Sequence, residues 1–217
     1  MASKDGFHPV TRSLFHITHV SNLPSIIRAG ELWSDSECRR RGAGSQNIAY
    51  RHIKDRRARR PVPDTAGGGT LADYVPFYFA PRSPMLYAIN KGLVEPSLRG
   101  RQDLIVHLVT SIEAVMATGR RWCFTDRHAD LNHAQFFDGL SELPSAVSWE
   151  AMRDNFWGRS PEQRELRQAE FLLRTSMPWS CTTEIGVMNQ TTLIAARAAL
   201  SQAEHSPPIV IHRDWYY

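Results

Sequence analysis

The chain has 217 residues and a mass of 24.7 kDa, 42% hydrophobic and 22% charged, which suits one sizeable globular core or at most two small domains. No apolar run approaches about 18 residues and the polar opening "MASKDGFHPV" lacks the apolar centre of a signal peptide, so neither a membrane span nor export is expected, and a cytoplasmic location is. The formal charge is +4, the pI is near 9.2, and all the basic residues except Lys4, Lys54 and Lys91 are arginine; this suits nucleic acid or another polyphosphate, although a GC-rich coding bias gives the same excess.

In chain order, "SLFHITHV" reads as a strand. "SNLPSIIRAG" reads as a helix with Ser21 or Asn22 as cap, Pro24 in the first turn and Gly30 closing it. Upstream of a loop, "PVPDTAGGGT", lies the densest basic run, "RHIKDRRARR", with "CRRRG" before it; it is either a solvated helix face or a phosphate-tracking surface. "DYVPFYFAP" is a second strand, "RSPMLYAINKG" a helix ending at Gly92, and "DLIVHLVTS" a strand of the continuous apolar kind covered on both faces. "SWEAMRDNFWG" and "SPEQRELRQ" read as helical, "EFLLRTSMPW" and "TTEIGVMN" as strands, "QTTLIAARAALSQA" as a helix and "PPIVIHRDWYY" as a last strand. The mixture predicts an α+β fold around a central sheet.

Several chemistries are disfavoured. "GAGSQN" and "GGGT" follow no convincing strand and miss the dinucleotide and phosphate-loop spacings. In "RHADLNH", five residues separate His128 from His133, so the two do not share a helix face as metal ligands would, even with Asp126 and Asp130 nearby. Cys38, Cys123 and Cys181 are scattered and odd in number, and there is no GxSxG. What remains is His16, Thr18, Arg51 and Glu170. His16 and Thr18 share one side of a strand, which makes a recognition edge or, more plainly, a half-exposed strand; on pattern alone Glu170 reads as an ion-pair partner for Arg167 or Arg174.

Four words in order, "FHITHVSNLPSIIRAGELWSD", "IAYRHIKDRRARRPVP", "GGTLADYVPFYFAPRSPMLYAI" and "LRQAEFLLRTSMPW", together resemble the DarT family of bacterial DNA ADP-ribosyltransferase toxins. The resemblance implies residues 1–13 as a tail and 14–217 as one domain. It implies a fold like that of poly-ADP-ribose polymerases, a split, curved β-sheet core with surrounding helices that binds NAD without a Rossmann motif. It makes Arg51 and Glu170 catalytic and places His16, Ile17, Thr18, Asn22, Leu23 and Arg51 in the NAD cleft, with "CRRRGAGSQNIAYRH" folding over NAD. The stretch from about His128 to Glu170 would hold the substrate-recognition loop. Arg56, Arg57, Arg59, Arg60, Pro81, Arg82, Ser83 and His128 would contact DNA, with Tyr78, Tyr87 and Trp122 as stacking planes unless they are core packing.

The implied activity is that of a toxin transferring ADP-ribose from NAD, without metal, to a base of single-stranded DNA, thymidine foremost, in a sequence-specific way that blocks replication. An antitoxin with a macrodomain would remove the mark, and the toxin would be a monomer. The alternatives are the same reaction on guanine and, in another class, a non-enzymatic single-strand DNA-binding module.

Overall fold

The structure is a computed structural model that describes residues 12–43, 48, 50–94 and 96–217, with Arg51 described by its backbone alone. Most of the expected tail over residues 1–13 lies outside the described residues. Strand β1, Ser13–His19, runs through a 3₁₀ turn, Val20–Asn22, into helix α1, Leu23–Ala29, with Asn22 at the cap position and Pro24 in the first turn. Gly30 closes α1 at φ 69°, a left-handed conformation that glycine adopts without steric cost. Then come β2, Glu31–Trp33, and α2, Asp35–Arg40, where the Ser34 hydroxyl accepts the Glu37 N–H.

Next in sequence are α3, Arg51–Arg57; β3, Tyr74–Tyr78; α4, Pro84–Asn90, capped by Ser83; β4, Ile105–Ser111; and α5, Ile112–Met116. Strands β5, Trp122–Thr125, and β6, Phe136–Phe137, precede the short helices α6, Leu143–Ala146, α7, Trp149–Arg153, and α8, Pro161–Leu166. The chain ends through β7, Glu170–Arg174; β8, Ser176–Pro178; β9, Glu184–Val187; α9, Gln190–Ala199; and β10, Ile209–Ile211.

Among the described residues one sheet has the order β10-β9-β4-β1-β3-β7-β5-β6, antiparallel except for the β10–β9 pair, and a small second sheet joins β2 to β8. β4, buried along six of its seven residues, pairs with β1 over the whole of Ser13–His19. By contrast β1 and β3 share a single register pair, Phe15 with Tyr78, whereas β3 and β7 pair over five residues that end with Tyr78 opposite Glu170. The sheet is therefore split between β1 and β3. Leu14, Phe77, Leu108, Phe124, Phe171 and Leu173 are fully buried in the main core. Each such side chain stabilises the fold by about 1.5–3 kcal/mol through removal from water.

The expected α+β sheet architecture is present, with three corrections. "EFLLRTSMPW" is not one strand: Thr175 takes φ 72°, donates its N–H to the Asp73 carbonyl and accepts the Ser34 N–H, which turns β8 out of the large sheet onto β2. "SWEAMRDNFWG" stops being helical at Asp154, which turns extended while its carboxylate accepts the Phe156 N–H; a 3₁₀ turn, Trp157–Arg159, follows. In "PPIVIHRDWYY" only Ile209–Ile211 is strand, and a 3₁₀ turn, Arg213–Trp215, brings the terminal aromatics back onto the sheet. Among the described residues no helix is long and apolar enough to cross a membrane.

Candidate active site

A cavity of about 250 Å³ opens over the split, and its walls include His16, Thr18, Asn22, Arg57, His128 and Glu170. Strand alternation brings His16 and Thr18 to this surface together. His16 donates through Nδ1 to the Pro76 carbonyl at 2.9 Å across the split, and burial pushes its pKa down, so the ring is neutral with Nε2 as an acceptor. Thr18 Oγ1 accepts from the Asn22 side-chain amide at 3.0 Å, joining the strand to the helix cap. Ile17 also lines the cavity, whereas the Leu23 side chain is buried in the main core.

Glu170, 3% exposed, opens β7. Its N–H donates to Thr125 Oγ1 and one carboxylate oxygen accepts the Ala129 N–H at 3.2 Å, so the residue is held by β5 and the loop after it. Among the described side chains the guanidinium at this carboxylate is that of Arg57, the last residue of α3, and neither Arg167 nor Arg174. Arg57 Nη1 lies 3.0 Å from one carboxylate oxygen and 2.9 Å from the other. Its Nη2 is buried and has no hydrogen-bond partner among the described residues. An orphaned donor in a cavity wall fits a ligand with an acceptor oxygen, such as a phosphate or an amide carbonyl. Arg57 was expected on an outer phosphate-tracking face, because a run of six basic side chains does not reveal which of them turns inward.

The Arg51 side chain, residues 44–47 and residue 49 of the expected NAD-covering element lie outside the described residues. His128 also lines the cavity; burial lowers its pKa, the Glu170 charge works against that, and Nδ1 accepts the Asp130 N–H at 3.3 Å. Around α3, Arg56 pairs with Asp130, Arg60 donates to the Leu131 carbonyl and to Asn132, and Arg59 is exposed. Arg82 is half-buried, and the carbonyls of Pro81, Arg82 and Ser83 are all bonded from within the fold. Tyr78 lines the cavity, Tyr87 is partly exposed, and Trp122 stacks on Phe171 with ring centroids 5.4 Å apart, as core packing.

A split antiparallel sheet with a cavity over the split and a buried glutamate opening an adjoining strand is the arrangement of the poly-ADP-ribose-polymerase-like ADP-ribosyltransferase fold. The family described as "ssDNA thymidine ADP-ribosyltransferase, DarT" matches residues 15–217, and the chain belongs to that family. It is 43% identical over 212 residues to a DNA ADP-ribosyl transferase of Thermus sp. strain 2.9, covering 97% of this chain and 98% of that one. The solved Thermus sp. 2.9 DarT in complex with ADP-ribosylated ssDNA superposes with a TM-score of 0.89 at 43% identity, over 97% of this chain and 98% of that one. The same Thermus protein in complex with NAD+ gives 0.83 at 39% identity, over 97% and 100%. A DNA ADP-ribosyl transferase–glycohydrolase fusion protein of Thermosipho africanus is 35% identical over 81 residues, 37% of this chain and 20% of that one.

Proposed function

We propose that this chain, a single catalytic domain, transfers ADP-ribose from NAD to a thymidine base of single-stranded DNA. The coarser reading, NAD-dependent ADP-ribosylation of DNA, is that of its family. The observation that carries the catalytic assignment is the buried Glu170 carboxylate, paired with Arg57, in the cavity wall.

NAD would be held against His16, Thr18 and Asn22. When the bond between nicotinamide and ribose breaks, positive charge develops on the sugar, and a fixed carboxylate stabilises that charge more in the transition state than before it. Glu170 needs no reorganisation to do this, because its backbone and both oxygens are already bonded. The attacking base nitrogen forms the new bond to the ribose and loses its proton, for which Glu170 is the acceptor within the cavity. Arg57 keeps Glu170 in place through Nη1 and offers Nη2 to a substrate oxygen. Arg51, the catalytic arginine that the resemblance implies, opens the same helix α3, and Arg57 joins it in this reading as the residue that positions Glu170.

The toxin role, the block to replication, the macrodomain antitoxin, the cytoplasmic location and the monomeric state belong to the same reading. The Thermosipho fusion of transferase to glycohydrolase supports an enzyme that removes the mark. The test is mass spectrometry of four single-stranded oligonucleotides, each enriched in one base, after incubation with protein and NAD. The expected result is a gain of one ADP-ribose on the thymidine-rich strand. A gain on the guanine-rich strand replaces the base, and no gain on any strand refutes the transferase.

A further inference from the structure

Glu170 opens β7 at a point where the ladder to β5 has already ended. The two strands pair at Trp122 with Leu173, Cys123 with Leu172 and Phe124 with Phe171, and the next step would set Thr125 opposite Glu170. Thr125 still pairs with Phe136 of β6 on its other edge, but on the β7 side the register stops. The Glu170 N–H takes its acceptor from a side chain, the Thr125 hydroxyl, at 3.1 Å. That hydroxyl has one proton, and it goes to the Arg127 carbonyl at 2.6 Å, which leaves a lone pair for Glu170. One fully buried oxygen thus joins the strand end to the chain that leaves β5.

That departing chain is itself fixed. The Asp126 carboxylate accepts the Gln135 N–H at 2.9 Å and the Arg127 Nε–H at 2.9 Å, and the His128 N–H donates to the Glu165 carbonyl at 3.2 Å. Two residues after Arg127, the Ala129 N–H donates to Glu170 Oε1 at 3.2 Å. The stretch 125–129 therefore holds Glu170 twice, through Thr125 at its backbone and through Ala129 at its carboxylate. With Arg57 on both oxygens, these contacts define where the negative charge sits.

We infer that Thr125 is a positioning residue for the transfer reaction, its hydroxyl setting the distance between β7 and the turn that follows β5, and thereby the place of the Glu170 carboxylate. The inference rests on the reading of Glu170 above. Thr125 is not in the cavity wall, so it acts through Glu170. Without the hydroxyl, the buried Glu170 N–H and the Arg127 carbonyl lose their shared partner. They can pair with each other only if the strand end and the turn close the gap that the oxygen fills, and Ala129 moves with the turn. A displacement on the order of 1 Å at a reacting group costs about 10²-fold in rate.

The test sets the single-turnover rate of transfer from NAD to a single strand beside urea unfolding, for variants that separate the hydroxyl from stability. Thr125→Val keeps the shape and loses the hydroxyl; its transfer rate should fall by about 10–10²-fold, with NAD and strand affinities unchanged. Thr125→Ser keeps the hydroxyl and loses a buried methyl, so its urea midpoint should fall while its rate stays within about twofold of wild type. Thr110→Val removes a comparable buried bond, from Thr110 Oγ1 to the Cys181 carbonyl at 2.7 Å in β4, and should lower the midpoint without slowing transfer.

Transfer by Thr125→Val at the wild-type rate, or a loss in Thr125→Ser as large as in the valine variant, overturns the assignment. Should Thr125→Val not fold, the serine variant decides alone: a wild-type rate at lowered stability supports the role of the hydroxyl, and a tenfold loss refutes it. Failure of the transferase reading is a different result, namely wild-type protein that adds no mass to the strand when NAD is supplied.

Discussion

Arg57 Nη1 spans both carboxylate oxygens of Glu170 across 113 residues of sequence, at 3.0 and 2.9 Å. A fork through both terminal nitrogens would engage Nη2 as well, but here Nη1 serves both oxygens and Nη2 stays without a partner among the described residues. Glu170→Gln keeps the shape and removes the charge. Its transfer rate should fall by about 10²–10³-fold with DNA and NAD affinities nearly unchanged, as read by single-turnover kinetics and binding titrations.

Arg57→Ala leaves a carboxylate buried without its cation. Removing one partner of a buried pair costs about 3 kcal/mol, so urea unfolding should show that loss, while Glu170→Ala with Arg57→Ala should lose less than the sum of the two single changes. Arg56→Ala, whose side chain is 59% exposed over an Asp130 side chain that is 6% exposed, should cost less than Arg57→Ala.

Stability should fall on acidification between pH 6.5 and about 4. His107 is fully buried, and burial lowers its pKa from 6.5 to about 4. The unfolded chain therefore binds a proton in this window that the folded chain refuses, so the contribution is complete above pH 6.5 and is lost as pH falls towards 4. The shift corresponds to a loss on the order of 3 kcal/mol. Urea midpoints measured across this range should show the decline, and His107→Gln should flatten it without removing it, because burial lowers His16 and His128 as well.

Thr175 is a β-branched residue at φ 72°, exposed at the break between β7 and β8. Asparagine tolerates that conformation better, so Thr175→Asn should stabilise by about 0.5–1 kcal/mol in thermal unfolding. At Gly186 the opposite holds. A Cβ there would overlap the Trp215 ring, so Gly186→Ala should cost about 1–3 kcal/mol.

Much of the fold was legible in the sequence. The period-two pattern of "FHITH", the Pro24 and Gly30 punctuation of α1 and the apolar run of β4 are local signals with local causes. β2, only three residues long, and β6, only two, carry no readable period and exist because partners are already in place. The NAD-cleft residues come from the resemblance, and of these His16, Thr18 and Asn22 line the cavity over the split. What pattern could not supply was direction. It offered Arg167 and Arg174 for Glu170 by proximity in sequence, but Arg167 is taken up by backbone carbonyls and Arg174 by the Gly67 carbonyl. The last turn of α3 delivers Arg57 instead. Two residues separate the inward Arg57 from the outward Arg59, and a continuous basic run conceals that difference.

The most direct measurement is the single-turnover rate of ADP-ribose transfer from NAD to a thymidine-centred single strand by wild-type, Glu170→Gln and Arg57→Lys proteins, with strand binding followed in parallel. With Glu170 stabilising the developing charge and Arg57 fixing it, both variants bind the strand as the wild type does, and transfer falls by about 10²-fold or more. Transfer at the wild-type rate by Glu170→Gln would place the chemistry away from this carboxylate.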